Sequence, residues 1–123
     1  MNSYYTLIYE TNDLQKIVVF VKNRTAWIDE YEMSKLFGIS ESYLKKILSD
    51  IIEKTEFEKQ YKELKELNKL MVYSMKIVEE VGKVLKSRSG NLLNAFIKER
   101  IKPQEFTISN LFEALFCILE IFG

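Results

Sequence analysis

Ser42, Tyr43, Lys45 and Lys46 lie within one short stretch and carry the chemistry most readily read from this sequence. Hydroxyl and ammonium groups donate hydrogen bonds, which suits them to phosphate oxygens and to the acceptor edges of nucleic-acid bases. They are interleaved with Leu44, Ile47, Leu48 and Ile51 at the spacing of a single helix face, so a helix here would show donors on one side and an apolar seam on the other. Glu41 and Asp50 share the polar side and would repel phosphate. A second basic group, Lys83, Lys86 and Arg88, begins a stretch that continues through Lys98, Arg100 and Lys102 with Glu99 as its one acid. Cations so grouped are suited to anchoring phosphates.

Other chemistries are excluded or disfavoured by composition. There is no histidine, which removes the commonest acid–base catalyst and metal ligand, and Cys117 is the only cysteine, so neither an internal disulfide nor a multi-cysteine metal site can form. The carboxylate pairs Asp29-Glu30 and Glu79-Glu80 are adjacent in sequence and point in different directions, which suits solvation better than catalysis. No enzyme activity, cofactor, metal or small-molecule substrate is expected. The 18 basic and 18 acidic side chains cancel, so any nucleic-acid binding must come from local charge rather than from bulk charge. No apolar run approaches the roughly 20 residues needed to cross a bilayer, and the N-terminus lacks a signal-peptide pattern. A cytoplasmic protein without membrane contact is the expectation.

The elements that must position these residues can be traced along the chain. Glu30 to Phe37 has helical spacing through Met33, Leu36 and Phe37 and ends at Gly38, which can take positive φ at little cost. Asp29 is placed to cap this helix and Ser40 to cap the next. Small Ser34 lets the two helices approach, and Met33, Phe37, Ile39, Leu44 and Ile47 form a miniature core that sets a steep crossing. Upstream, Tyr4–Tyr9 and Lys16–Lys22 are rich in β-branched and aromatic residues and flank the turn-forming Thr11-Asn12-Asp13, which predicts a hairpin; Ala26-Trp27-Ile28 reads as a short third strand with Trp27 in the core. Downstream, Lys69–Tyr73 favours strand, whereas Tyr61–Leu67 has strong helix propensity, and residues 56–67 stay open between hairpin and helix. Ser74 starts a helix with Ile77, Val78, Val81, Val84 and Leu85 inward. Ser89-Gly90-Asn91 is expected to break it before another helix bearing Leu92, Leu93, Phe96, Ile97 and Ile101, which Pro103 ends. Asn110 and Glu113 form a capping box for a last helix that is apolar on nearly every side. Its exposure would be costly, so a homodimer with Phe112, Phe116, Leu119 or Phe122 at the interface is expected.

With these elements in place the chain resembles the RhuM-like family of bacterial and phage proteins, related to the KilA-N and Bro-N modules of phage antirepressors. The first matching stretch runs from the hairpin into Trp27-Ile28 and on through Glu32-Met33-Ser34-Lys35-Leu36-Phe37-Gly38-Ile39-Ser40, similar to the family's "MAxLFGxS" helix and turn. The second comprises Tyr73-Ser74-Met75, Val81-Gly82, Ser87-Arg88-Ser89-Gly90 and Phe96, similar to "YNLD", "VGYRVNS" and "RGxxFRxW". The chain departs from the pattern at Glu41-Ser42-Tyr43, where the family tends to polar or basic residues, and at Val84, where it has arginine.

The resemblance spans roughly residues 5–102 and has no counterpart for the last helix; with the elements traced above it leads to an α+β fold in which an N-terminal β-hairpin and helix-turn-helix (residues 1–55) are followed by a variable hairpin or helix (56–73) and a C-terminal helical group (74–123), all in one domain. It implies a non-enzymatic DNA-binding regulator or antirepressor-like protein of phage or mobile-element origin. Ser42, Tyr43, Lys45 and Lys46 would meet the groove of double-stranded DNA, and Lys83, Lys86 and Arg88 would hold phosphates. The alternative is a small phage-encoded inhibitor, of anti-CRISPR or other anti-defence kind, that binds a host protein or nucleoprotein complex through the same scaffold.

Overall fold

The computed structural model describes residues 4–64 and 68–101. The chain begins with three antiparallel strands, β1 (Tyr5–Glu10), β2 (Lys16–Lys22) and β3 (Thr25–Asp29). The turn joining the last two has Asn23 and Arg24 both at positive φ (53° and 64°), the twist that a tight two-residue hairpin loop requires. Two helices follow, α1 (Glu30–Phe37) and α2 (Glu41–Ile52), and then a single 3-10 turn at Thr55–Phe57. A second hairpin, β4 (Tyr61–Leu64) and β5 (Leu70–Ser74), leads directly into α3 (Met75–Leu85), and α4 spans residues 89–101. The fold is therefore α+β: among the described residues, a five-stranded antiparallel sheet of order β1-β2-β3-β5-β4 with four α-helices.

One face of the sheet and the helices share a core. Ile17, Val19, Val21, Ala26, Ile28 and Tyr73 alternate inward from the strands and meet Met33, Leu44, Leu48, Ile77, Val78, Val81 and Leu93. On the other face Trp27, Leu64 and Val72 form a separate cluster edged by Tyr4, Phe20 and Leu70. Trp27 is buried as expected, but in this second cluster, because it pairs with Phe20 and Ser74 on the side of the sheet away from the helices. The Lys62 ammonium sits 4.2 Å from the centre of the Trp27 ring system.

The join between sheet and helices is made by α1. Strand β3 is short, so its ladder with β2 covers only Phe20–Lys22, and the Val18 N–H further down β2 would lack an acceptor. Glu32 supplies one: its buried carboxylate accepts from Val18 N at 2.8 Å. Lys35 completes the clasp, donating to the Lys16 carbonyl at 2.8 Å and lying 3.0 Å from Glu32.

One segment left open takes a definite form, and two expectations are corrected, the first at Val84, which is 57% exposed and not inward on α3. Residues 61–64 form a strand despite their helix propensity, because pairing Tyr61 with Tyr73 and Leu64 with Leu70 places Leu64 in the Trp27 cluster, and tertiary packing outweighs a local preference worth tenths of a kcal/mol per residue. The break before α4 falls at Lys86, which is left-handed (φ 53°), and not at Ser89-Gly90-Asn91. Gly90 lies inside α4, where a Cβ would sit 3.0 Å from Val78 Cγ1 and 3.3 Å from the Phe37 ring. Its glycine serves close approach, not chain reversal. Pro103, Cys117, the capping box at Asn110 and the interface residues Phe112, Phe116, Leu119 and Phe122 lie outside the described residues.

Candidate nucleic-acid interface

The geometry of α2 begins at Gly38. Its backbone is left-handed (φ 67°, ψ 36°), and its N–H and that of Ile39 close the end of α1 onto the Lys35 and Ser34 carbonyls. The chain then reverses through Ile39 to Ser40, whose hydroxyl accepts the Tyr43 N–H at 3.2 Å and so starts α2. Asp29 does the same for α1, accepting from Glu32 N at 2.7 Å. With Leu44, Ile47, Leu48 and Ile51 buried, helical spacing forces Ser42, Tyr43, Lys45, Lys46 and Ser49 outward, and all five are exposed.

The cations on that face are not equivalent. Lys45 reaches back to α1, where its ammonium lies 3.9 Å from the Glu30 carboxylate; the other oxygen of that carboxylate accepts from the Tyr73 hydroxyl at 2.8 Å. Burial, and then this hydrogen bond to Glu30, raise the Tyr73 phenol well above its ordinary range. Lys46 has no ion pair among the described residues. Asp29, Glu30, Tyr31 and Glu41, with Leu70 and Met71 from the second hairpin, line a shallow acidic recess beside the start of α2. Burial lifts the Asp29 carboxyl above its usual range; the Glu32 N–H bond opposes this, and the negative charge of Glu32 adds to it.

At the other end of α1 the charge reverses. The Phe37 ring packs in the space left by the missing side chains of Gly82 and Gly90, which ties the Gly38 turn to the corner between α3 and α4. Gly38 and Ser89 also line one cleft. Lys83, Lys86 and Arg88 converge with Ser87 and Asn91 around a recess at this corner. Lys83 is also 3.3 Å from Glu80, but its side chain is 73% exposed, so that pair is weak and the ammonium can be reoriented. Glu79, the acid of the recess, accepts from Asn94 at 2.8 Å.

Known protein families, curated proteins and solved structures give no match to this chain. Its own geometry therefore carries the functional reading. Of the residues expected at a nucleic-acid surface, Ser42, Tyr43, Lys45 and Lys46 share the outer face of α2, and Lys83, Lys86 and Arg88 share the α3–α4 corner. The longer basic stretch does not stay together. Lys98 lies towards the far end of α4, and Arg100 stacks over the Phe96 ring at 4.4 Å. Sequence reasoning missed the acceptor for Lys45, since nothing in the spacing of Glu30 and Lys45 announces a contact across the Gly38 turn. Among the described residues no group of three histidine, cysteine or acidic side chains is arranged to hold a metal, and no helix is long and apolar enough to cross a membrane.

Proposed function

We propose that this chain is a diverged RhuM-like DNA-binding domain, acting as a regulator or antirepressor-like protein without enzymatic activity. The observation that carries the reading is the outward face of α2, where Ser42, Tyr43, Lys46 and Ser49 are exposed, together with the basic recess at the α3–α4 corner. In this reading helices α1 and α2, joined at a left-handed glycine, make up a helix-turn-helix with α2 as the groove-reading helix. Hairpin β4–β5 brings Leu70 and Met71 to the recess that Glu41 also lines, as a wing beside such a helix would. In this reading Lys46, Lys83, Lys86 and Arg88 contribute affinity by neutralising phosphates, and Ser42 and Tyr43 contribute sequence preference. Homodimerisation through the C-terminal apolar residues belongs to the same proposal, because two linked modules gain affinity that one weakly charged module lacks. Gel-shift assays at low salt test the reading: wild type retards duplex DNA, and the Lys46→Ala, Arg88→Ala double variant retards it much less. Absence of any shift by wild type refutes it.

One feature favours a second reading. Tyr31 and Met71, 56% and 36% exposed, edge the acidic recess, and tyrosine and methionine are enriched at protein-binding surfaces. In that reading the protein is a phage-encoded inhibitor, and its target presents a basic surface to α2. Pull-down from host lysate separates the two, since nuclease treatment abolishes capture through DNA and leaves capture through protein intact.

A further inference from the structure

A sizeable cavity lies away from α2, between the β2–β3 turn, the start of α3 and the far end of α4. Its volume is about 490 Å³, within the span of roughly 300–1,000 Å³ usual for small organic ligands. Three cations from three separate elements meet there: Arg24 on the turn, Lys76 on α3 and Lys98 on α4, and among the described residues no acidic side chain lines the space. None of the three has an ion pair among the described residues. Side-chain amides near them are already committed, Gln60 accepting from the Ser74 hydroxyl at 2.6 Å and Asn94 donating to Glu79 at 2.8 Å. Because Ser74 turns its hydroxyl to Gln60, it does not cap α3, and the first N–H groups of that helix add to the positive potential. Ala26, Ile97 and Ile101 provide an apolar wall, with Ala26 and Ile97 themselves buried.

We propose that this cavity binds a phosphate monoester carried on a ring-bearing body, of nucleoside monophosphate size. Three converging cations match the roughly −1.5 to −2 charge of such a phosphate better than the single charge of a carboxylate. Arg24 offers the planar, paired donors that suit phosphate oxygens. Inorganic phosphate would leave most of the volume and the whole apolar wall unused. The site is separate from the α2 surface, and its occupancy does not depend on whether α2 binds DNA.

Isothermal titration with adenosine monophosphate tests the proposal, with adenosine and inorganic phosphate as controls at one ionic strength. The nucleotide is expected to bind with a dissociation constant on the order of 0.1–1 mM, adenosine not at all, and phosphate roughly tenfold more weakly. Arg24→Asn keeps a residue that tolerates the left-handed turn, and Lys98→Gln keeps a helix former; each should weaken nucleotide binding by about tenfold. Lys54→Ala, at an exposed cation that does not line the cavity, serves as the control and should bind the nucleotide as wild type does. A repeat with excess duplex DNA tests the choice of a monoester: retained nucleotide supports it, and displaced nucleotide marks a singly charged backbone diester as the occupant and overturns it. No binding up to about 5 mM, equal binding by adenosine or by phosphate, or undiminished binding by the Arg24→Asn, Lys98→Gln variant overturns the proposal.

Discussion

The two ends of α1 carry opposite charge and are built differently. At its start, Asp29, Glu30 and Glu41 gather around Tyr31, Leu70 and Met71, and the one nearby cation of α2, Lys45, is paired with Glu30. At its end, Phe37 docks on two glycines of the α3–α4 corner, where Lys83, Lys86 and Arg88 line a recess whose acid among the described residues, Glu79, is already hydrogen-bonded to Asn94. Net charge, which is zero, hides this division. A duplex approaching α2 would be attracted at one end of α1 and repelled at the other. Such an arrangement sets orientation as well as affinity.

The largest expected effect comes from cutting the link between the ends. Phe37→Ala removes the ring that fills the space over Gly82 and Gly90 and should lower stability by about 2–4 kcal/mol, measured by denaturant unfolding. A variant that unfolds like wild type would show that the corner is held without Phe37.

Next in size is the effect on DNA binding of unequal lysines. Lys83→Ala with Arg88→Ala should reduce the slope of log affinity against log salt by about 1.8, two contacts at roughly 0.9 each, whereas Lys45→Ala should change it by less than one contact because Glu30 already partners that ammonium. Equal slopes for Lys45→Ala and Lys46→Ala would contradict the inequality. Glu30→Gln reverses the sign. It frees Lys45 and removes a negative charge while leaving the amide oxygen to accept from Tyr73, so duplex affinity at low salt should rise roughly three- to tenfold, read by fluorescence anisotropy.

Much of the frame around these residues was legible in the sequence, because it rests on local rules. Gly38, Ser40 and Asp29 were identified from turn and cap chemistry, and each takes that role in the structure. The β-branched and aromatic residues of Lys16–Lys22 marked β2, and the spacing of Leu44, Ile47, Leu48 and Ile51 fixed which side of α2 is exposed. What stayed hidden depends on contacts between distant segments. Tyr61–Leu64 is a strand only because β5 and the Trp27 cluster receive it. Gly90 looks like a helix breaker in one dimension; only the position of Phe37 reveals that it leaves room for a ring. The grouping of Arg24, Lys76 and Lys98 needs three elements to converge, and the basic stretch suggested instead that Lys98 belonged with Arg88.

The smallest expected effect concerns the acidic end. Asp29 caps α1, but burial holds its carboxyl above its ordinary value of 3.8, so the native state takes up a proton at a higher pH than the unfolded chain does. Its contribution to stability is therefore most favourable at low pH and declines as pH rises from 3.8 through the native value. Asp29→Asn keeps the cap without the charge and should abolish that part of the pH dependence, with stability at neutral pH unchanged or slightly higher. Asp29→Ala, which removes the cap, should lose about 1 kcal/mol. Thermal melts of both variants between mildly acidic and neutral pH compare them directly.

The central claim, that α2 and the α3–α4 corner together form a duplex-binding surface, is tested most directly by the salt dependence of wild-type binding to duplex DNA. If Lys46, Lys83, Lys86 and Arg88 each neutralise one phosphate, log affinity should fall against log salt with a slope of about −3.6. A slope near zero, or no duplex binding at low salt, would contradict the claim and leave the acidic recess, with a protein partner, as the working surface.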